Sequence, residues 1–305
     1  MTLTDLPRRR LGTTDLEVAR LGYGAMELRD APRKRALSER EVGRLLGQVL
    51  DAGIDLIDTS IDYGLAEERI GWHLVHRGDE FVLASKCGCP VGVRRTPMTR
   101  IPHDHGADNV VAGVEQSLRR LRTDHLDLVQ VHSSPSVEDM ARGGTIEALQ
   151  RLKERGDVRW IGMSGTLPHL DDHVDLGVFD AFQIPYSLLE PEHGSMIERA
   201  ADRGAATIVR GATGRGVLAG SRQPRAADTL AARWERADLC ALLGDESPST
   251  FALRWALANP AVDCFIVGTA RPAHVLANRD AVLRGPLDLD TVRQAQTHVT
   301  AALEA

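Results

Sequence analysis

The stretch from Ile54 to Gly64, which reads I-D-L-I-D-T-S-I-D-Y-G, places a carboxylate and a phenol close together in the chain. A short apolar run ends abruptly at Asp58, and Tyr63 follows five residues later. Such a run is typical of a buried parallel strand, whose last side chain reaches the carboxyl edge of the sheet. Both side chains can transfer protons, so they are our first catalytic candidates. For this stretch alone, an N-cap aspartate and a half-buried tyrosine are the simpler interpretation.

Later strand-like segments also carry polar side chains at or near their carboxyl ends, namely Lys86, His132, Ser164 and Gln183. On one rim with Asp58 and Tyr63, they would form an acid–base set. A buried Lys86 would stabilise the Tyr63 phenolate and lower a pKa that is about 10 in water. Asp58 would keep Lys86 charged, because an unpaired buried ammonium is unfavourable. His132 would orient a carbonyl or hydroxyl oxygen beside Tyr63.

An alternation of strand-like and helix-like segments would position these side chains. Ser38 and Glu41 form a capping-box pattern, and apolar residues at helical spacing follow as far as Gly53. Comparable helical patterns separate the strand-like segments from one another. The predicted strands are 21–26, 54–58, 81–86, 126–132, 160–164, 181–186, 205–211 and 264–268.

Eight strands alternating with eight helices predict an α/β fold, a (β/α)8 TIM barrel formed by residues 1–305 as a single domain. The segment 10–20 predicts an N-terminal β-hairpin, and an extra C-terminal helix is expected from about Leu289 to Ala302. A doubly wound open sheet competes with the barrel. That fold requires a Gly-x-Gly-x-x-Gly turn after its first strand, which 21–26 does not supply, so the barrel is favoured.

Two connections, 87–107 and 212–246, are long enough to contribute to a site at the carboxyl ends of the strands. The second is predicted to contain a helix around 231–243. The first contains His103-Asp104-His105, which lacks the ligand spacing of a helix or hairpin metal site. The Cys87-Gly-Cys89 pair, without a second pair, is weak evidence for a metal. We therefore predict a solvated loop and no bound metal.

The composition argues against several classes of partner. A net charge of −6 and an isoelectric point near 6.0 give no basis for binding nucleic acid or an anionic membrane. No apolar run reaches the roughly 18 residues of a membrane span, and the N-terminal residues have no signal-peptide core. Four scattered cysteines are too few for a disulfide framework. A reduced, cytoplasmic protein is expected.

The catalytic candidates lie in motifs that resemble the aldo-keto reductase superfamily over nearly the whole chain. Residues 58–64, D-T-S-I-D-Y-G, match its Asp-Thr-Ala-x-x-Tyr-Gly motif at both catalytic positions, and its Glu-x-x-Ile-Gly-x-x-Leu pattern follows at 67–74. The segments 85–86 and 128–132 match its lysine and histidine motifs. The opening at 10–26 resembles the hairpin that closes the barrel bottom in that superfamily. Together and in this order, these motifs are specific.

The resemblance implies an oxidoreductase that transfers hydride between a nicotinamide cofactor and a carbonyl or alcohol carbon of an aldehyde, ketone or sugar. Tyr63 would act as general acid or base, assisted by Asp58, Lys86 and His132. NADP(H) is the favoured cofactor and NAD(H) is possible. The residues implied to bind it are Gly24, Ala25, Met26, Ser164, Gln183, Arg210, Gly211, Gly268, Thr269, Arg271, His274 and Asn278. Helix-start N–H groups near residue 272 would suit a phosphate.

Two departures from the superfamily pattern concern the nicotinamide. Ser164 and Gln183 would hydrogen-bond the carboxamide, but Gly165 follows Ser164 where most members have asparagine. Arg210 stands where many members have an aromatic residue that stacks on the nicotinamide. A guanidinium can stack as well, or it can reach the pyrophosphate.

Two further departures concern the adenosine end and the substrate. The positions that are often basic for the 2′-phosphate of NADP read Gly268 and His274. Arg271 or a protonated His274 would have to replace them, which keeps NAD as an alternative. The segment 133–135, S-S-P, differs from the versions that contain Trp or Asp and lines the substrate pocket, so the resemblance does not define the substrate.

Three functions remain open at this point. A carbonyl reductase or an alcohol or sugar dehydrogenase is favoured, with an NAD-linked sugar dehydrogenase as its strongest variant. A dinucleotide-binding module without turnover, like the channel-associated β subunits of the superfamily, is the second. A lyase that uses Lys86 as a Schiff base ranks last. The expected partner is a small carbonyl or sugar substrate, and the expected assembly is a monomer or small homo-oligomer.

Overall fold

The computed structural model describes residues 5–29, 36–92, 102–218 and 229–304. An antiparallel pair, β1 (Arg8–Arg10) and β2 (Glu17–Ala19), precedes a closed barrel of eight parallel strands. The barrel strands are β3 (Leu21–Gly24), β4 (Leu56–Asp58), β5 (Val82–Cys87), β6 (Leu126–His132), β7 (Val158–Ser164), β8 (Ala181–Pro185), β9 (Ala206–Arg210) and β10 (Cys264–Val267). The last strand pairs with both β3 and β9, which closes the sheet and confirms the predicted TIM barrel.

Helices connect the strands and cover the outside of the barrel. They are α1 (Glu39–Asp51), α2 (Ala66–Leu74), α3 (Ala107–Leu121), α4 (Val137–Gly143), α5 (Thr145–Glu154), α6 (Leu170–Leu176), α7 (Gly194–Asp202), α8 (Thr229–Ala237), α9 (Cys240–Leu243), α10 (Pro248–Leu257), α11 (Pro272–Leu283) and α12 (Leu289–Glu304). Among the described residues, no helix combines the length and apolar content needed to cross a lipid bilayer.

The helix boundaries follow from local capping chemistry. Ser38 accepts a hydrogen bond from the Glu41 backbone N–H, and the Glu41 carboxylate accepts one in return from the Ser38 N–H, so the predicted capping box at α1 is confirmed. At α10, Ser247 accepts from the Thr250 N–H and Pro248 occupies the first turn. Such caps satisfy amide groups that have no partner inside the helix.

Three predicted elements differ in detail. The first barrel strand ends at Gly24, and residues 25–28 form a 3₁₀ turn. The predicted helix around 231–243 is divided into α8 and α9, and α4 was not predicted. The helix α4 is only seven residues long, too short for a clear hydrophobic period. Parts of both long connections, 93–101 and 219–228, lie outside the described residues.

The hairpin formed by β1 and β2 closes the amino-terminal end of the barrel. Its side chains Leu11, Leu16 and Val18 are buried against the lower barrel residues Leu56 and Leu128. Burial of each such side chain contributes about 1.5–3 kcal/mol. This arrangement agrees with the hairpin that the family resemblance implies.

Gly12 allows that hairpin to approach the barrel. It has a positive φ of 52°, and an added Cβ would lie 2.4 Å from the Ala206 nitrogen. Its N–H donates to the Asp263 carboxylate at 3.1 Å. A larger residue would therefore separate the hairpin from the barrel and add backbone strain.

Strand register brings the polar strand ends to one rim. Asp58 is the last residue of β4 and lies opposite Gly24 in the ladder. Further around the barrel, Lys86 lies opposite Gln130, and His132 lies opposite Ser164. Because all eight strands are parallel, these residues face the same end of the barrel.

Candidate active site

A cavity of about 480 Å³ opens at the carboxyl ends of the strands. This size is in the usual range for ligand pockets. Its lining includes two predicted catalytic residues and ten predicted cofactor-binding residues: Asp58, Tyr63, Gly24, Met26, Gln183, Arg210, Gly211, Gly268, Thr269, Arg271, His274 and Asn278. Most of the predicted site is therefore gathered around one cavity.

Asp58 and Lys86 form a buried ion pair beneath this cavity. The Lys86 Nζ lies 2.6 Å from Asp58 Oδ2, and the two side chains are only 1% and 3% exposed. A second hydrogen bond runs from Nζ to the Thr59 carbonyl at 2.8 Å. Burial alone would lower the pKa of Lys86, but Asp58 and Tyr63 outweigh burial and raise it. Lys86 is thus held as a charged ammonium.

The other oxygen of Asp58 accepts two amide hydrogen bonds. Gln130 Nε2 donates to Oδ1 at 2.9 Å, and Gln183 Nε2 donates to the same atom at 2.7 Å. Gln183 in turn accepts from the Ser164 hydroxyl at 3.1 Å. With Lys86, the strands β5, β6 and β8 therefore each supply one hydrogen-bond donor that fixes the Asp58 carboxylate.

Gln130 is a site residue that the sequence analysis did not single out. It lies two residues before His132 on β6, so the two side chains share one face of the strand. The available signal was a polar residue that alternates with the apolar Val129 and Val131 and shares the strand face of Leu128 and His132. Its partner Asp58 is 72 residues away in the chain, so the contact itself could not be read from the sequence.

Tyr63 lies beside the Asp58–Lys86 pair and is partly buried. The Lys86 Nζ is 5.2 Å from the centre of its ring. Burial raises the pKa of Tyr63, and the nearby carboxylates of Asp58 and Asp62 raise it further, whereas Lys86 and Arg210 lower it. The net direction is upward. Lys86 thus lowers this pKa as expected, but desolvation outweighs the attraction of the ammonium.

His132 completes the predicted catalytic group from the end of β6. Burial lowers the pKa of His132 well below its usual value, with Lys86, His103 and Arg210 adding to the effect, although Asp62 opposes it. The ring Nδ1 lies 3.2 Å from Cys89 Sγ. His132 therefore faces the site as a neutral imidazole.

The loops around His132 also approach the site. Nε2 of His105 lies 2.8 Å from the His132 carbonyl oxygen, and the rings of His103 and His132 are 5.1 Å apart. Both loop histidines are partly buried, so the prediction of a solvated loop is wrong for them. Ser133 and Ser134 have positive φ angles of 75° and 53°, which turn the chain sharply after the strand.

The opposite side of the cavity is cationic. The Arg210 guanidinium makes no hydrogen bond or ion pair within the part of the chain that the structure describes. Burial lowers the pKa of Arg210, and the neighbouring Arg215 adds to this effect. Arg215 itself is paired with Glu190 at 2.5 Å. A bound anion would offset the unfavourable desolvation of Arg210.

The end of β10 and the start of α11 form the outer part of this side. The Thr269 carbonyl accepts from the Tyr23 hydroxyl at 2.8 Å, and the Thr269 hydroxyl accepts from the Arg271 N–H at 3.1 Å. Arg271 is exposed at the cavity edge. Burial and Arg271 both lower the pKa of His274. The alternative of a protonated His274 is therefore disfavoured, and Arg271 is the better phosphate ligand of the two.

Comparison with known proteins adds a finding that decides the family. The model of the aldo/keto reductase family matches residues 20–299. The chain belongs to the aldo/keto reductase family. The structure of aldo-keto reductase AKR11C1 from Bacillus halodurans in its holo form is similar, with 29% identity, a TM-score of 0.81 and coverage of 96% of both chains.

Two similar proteins in the family are sugar dehydrogenases by name. L-galactose dehydrogenase from Arabidopsis thaliana is 27% identical over 92% of this chain and 89% of its own. D-threo-aldose 1-dehydrogenase from a Pseudomonas species is 28% identical over 90% of this chain and 92% of its own. Our chain is thus an oxidoreductase of a family that acts on aldehydes or sugars.

The structure explains one departure of this aldo-keto reductase from the superfamily pattern. A Cβ atom at Gly165 would lie 3.1 Å from Met163 Cγ and 3.3 Å from both Leu170 Cδ1 and Ser134 Oγ. A side chain at this position would therefore require these neighbours to shift by a few tenths of an ångström. The Gly165 N–H donates instead to the Gln183 carbonyl at 3.2 Å.

Four predicted residues of this aldo-keto reductase do not line the cavity. Lys86 lies beneath it behind Asp58, and His132 lies beyond Tyr63 on β6. Ala25 is fully buried in the 3₁₀ turn. Ser164 contacts the cavity only through Gln183. Lys86 and Ser164 are therefore placed to act through a neighbour.

Proposed function

We propose that this aldo-keto reductase transfers hydride between a nicotinamide dinucleotide and a carbonyl or alcohol carbon, with Tyr63 as the general acid or base. The observation that carries this proposal is that Tyr63 and Asp58 line a 480 Å³ cavity, with the buried Lys86 ammonium paired to Asp58 and facing the Tyr63 ring. When bound, NADP(H) or NAD(H) supplies or accepts the hydride.

Tyr63 and its neighbours have distinct roles in the proposed proton transfer. In reduction, the Tyr63 hydroxyl donates its proton to the oxygen of the substrate as negative charge develops there; in oxidation it removes the hydroxyl proton. Lys86 stabilises the resulting phenolate, because its ammonium remains charged 5.2 Å from the ring centre. Asp58 positions Lys86 through the 2.6 Å ion pair. His132 orients the substrate oxygen from the end of β6.

A lyase that forms a Schiff base on Lys86 is not supported. Such a reaction needs a neutral amine with access to the substrate. The Lys86 side chain is 1% exposed, and its pKa is raised by Asp58 and Tyr63 against the effect of burial. Both observations favour the role of an electrostatic partner.

The cationic side of the cavity would hold the dinucleotide. Arg210 would pair with the pyrophosphate or stack on the nicotinamide. The start of α11 would attract a phosphate mainly through the helix dipole, because Pro272 has no N–H and the N–H groups of Arg271 and His274 already donate within the protein. Gln183 retains one amide hydrogen beyond its bond to Asp58 for the carboxamide. Thr269 and Asn278 line the outer part of the same cavity.

We infer that NADP(H) is preferred over NAD(H), because Arg271 lies exposed at the cavity edge where a 2′-phosphate would need a cation. The partner is a small carbonyl or sugar substrate. The sugar dehydrogenases among the similar proteins support an aldose as the first alternative to a simple aldehyde or ketone. An NAD-linked sugar dehydrogenase is therefore the alternative form of this function.

None of the four cysteines forms a disulfide bond, which is consistent with a reducing compartment, and we propose the cytoplasm as the location of the enzyme. A monomer or small homo-oligomer remains our prediction for its assembly.

The test is a fluorescence titration of purified protein with NADPH and NADH, followed by turnover measurements on a panel of aldehydes and aldoses. Tyr63→Phe is expected to retain dinucleotide binding and to lose roughly 10²–10⁴-fold in kcat. Tyr186→Phe is the matched control, because Tyr186 is a buried tyrosine that does not line the cavity.

Two results would contradict the proposal in different ways. Failure of the parent protein to bind either dinucleotide would remove the cofactor and with it the hydride transfer. Tight binding without turnover on any member of the panel would favour a dinucleotide-binding module instead. Equal activity of Tyr63→Phe and Tyr186→Phe would remove Tyr63 as the proton donor.

A further inference from the structure

Four potential metal ligands converge beside the catalytic group, and we name them the Cys89 cluster: Asp62, Cys89, His103 and His132. They come from the turn after β4, the loop after β5, the connection before α3 and the end of β6. One ligand atom from each lies within 4.8 Å of the corresponding atoms of the other three. Cys89 is buried and the other three are partly buried.

The distances in the cluster are close to those of a metal site. A tetrahedral Zn²⁺ ion, with sulfur at about 2.3 Å and nitrogen or oxygen at about 2.0–2.1 Å, holds its ligand atoms about 3.3–3.6 Å apart. Cys89 Sγ and His132 Nδ1 are 3.2 Å apart, and His132 Nδ1 and Asp62 Oδ1 are 3.9 Å apart. The four atoms lie within 4.8 Å of one another, so side-chain rotations that shorten the longer separations would bring them around one ion.

The chemical types of the ligands select the kind of cation. One thiol, two imidazoles and one carboxylate suit Zn²⁺, whereas Mg²⁺ and Ca²⁺ require oxygen ligands. We propose that the Cys89 cluster binds Zn²⁺. The prediction of no metal considers 103–105 and the Cys87-Gly-Cys89 pair separately, and it does not combine them with Asp62 and His132 from other segments. The cysteine thiol would release its proton to solvent as the metal binds.

Neighbouring groups already orient two of the ligands. The Ser60 hydroxyl donates to Asp62 Oδ1 at 2.7 Å and lies 3.6 Å from Cys89 Sγ. The backbone of His132 is held by its contact with His105 at 2.8 Å. Contacts of this kind fix the orientation of ligand side chains in known metal sites.

The consequence for catalysis rests on the proposed function. Four protein ligands would complete a tetrahedral shell, and a complete shell leaves no position for a substrate oxygen. The metal would also occupy His132, so that this side chain could no longer orient the substrate oxygen beside Tyr63. Zn²⁺ is therefore expected to inhibit the enzyme reversibly, so that the cluster acts as a metal-sensitive control of the active site.

The direct test is a Co²⁺ titration of the full chain without dinucleotide. Binding through Cys89 would give a thiolate-to-cobalt charge-transfer band together with the intense visible bands of tetrahedral Co²⁺, and equimolar Zn²⁺ would remove both. Cys89→Ser is expected to abolish the charge-transfer band. Cys240→Ser is the matched control and should retain it, because Cys240 is exposed and lies outside the cluster.

A second variant at a different position tests the site even if Cys89→Ser does not fold. His103→Ala, at a partly buried loop position, is expected to weaken Co²⁺ binding roughly 100-fold. Circular dichroism melting of each variant would show that the protein is folded. Absence of the charge-transfer band in the folded parent protein would overturn the site, as would an unchanged band in Cys89→Ser.

Inhibition is measured as the ratio of turnover with and without Zn²⁺ within each variant. We expect the parent protein to lose at least about tenfold in turnover and to recover with a chelator, and His103→Ala to need roughly 100-fold more Zn²⁺. Stimulation by Zn²⁺, or a loss that a chelator does not reverse, would overturn the inhibitory role. If the parent protein has no turnover, the proposed function fails, and the cobalt spectrum still decides the metal site.

Discussion

The two sides of the barrel rim balance their charges in different ways. On the β4–β8 side, Asp58 accepts hydrogen bonds from Lys86, Gln130 and Gln183, so a buried carboxylate and a buried ammonium satisfy each other. On the β9–β10 side, the Arg210 guanidinium has no such partner among the described residues. The first side balances its buried charges internally, whereas the second has a cation whose charge no described residue balances through a hydrogen bond or ion pair.

This difference corresponds to two tasks. Groups that stabilise charge during a reaction are effective when the fold fixes them in advance, because they do not reorganise as the reaction proceeds. Groups that recognise an anionic ligand gain most of their hydrogen bonds on binding, so they can remain unpaired before it arrives. We therefore assign proton transfer to the complete side and dinucleotide binding to the open side.

The largest expected effect beyond Tyr63 is on the complete side. Asp58→Asn would leave the buried Lys86 ammonium without its counter-charge and is expected to lower the free energy of unfolding by about 3–5 kcal/mol. Urea denaturation measures this change. Asp139→Asn is the matched control: its partner Arg142 is exposed, and breaking that pair should lower the free energy by at most about 1 kcal/mol. Equal losses in both variants would contradict the assigned role of burial.

Arg210→Met tests the open side. Because no ion pair with described residues is lost, the melting temperature is expected to stay within a few degrees of the parent value. Removal of a charge-assisted contact is expected to weaken dinucleotide binding by roughly 10–100-fold. Fluorescence titration and thermal melting measure the two quantities. A large loss of stability with unchanged binding would show that Arg210 is structural and would end the comparison between the sides.

Arg271→Ala is expected to change dinucleotide affinity the least of these variants, and it distinguishes NADP(H) from NAD(H) as the cofactor. Since Arg271 is exposed, its loss should weaken NADPH binding by about tenfold and leave NADH binding nearly unchanged. His274→Ala serves as the comparison, because its lowered pKa leaves little positive charge to remove. Equal weakening of NADPH and NADH by Arg271→Ala would argue against a 2′-phosphate contact and favour NAD.

Much of the fold could be predicted because its signals are local. These signals act within a few residues: they are the capping box at Ser38, the proline at 272 and the apolar runs that end at Asp58 and His132. Each predicted element was found within a few residues of its expected position. The periodic alternation of strands and helices then left a closed barrel as the favoured arrangement. Only short elements such as α4 lacked a readable pattern.

The sequence by itself determined which residues could do chemistry, because Asp58, Tyr63, Lys86 and His132 stand at the ends of recognisable strands. Tertiary structure decided their environment. The contacts of Asp58 with Gln130 and Gln183 span 72 and 125 residues, and the raised pKa of Tyr63 results mainly from burial in the assembled pocket. The approach of Asp62 and His132 to Cys89 likewise depends on the pairing of β5 with β4 and β6. Local patterns specify strands and helices, but desolvation and long-range pairing exist only after the chain has folded.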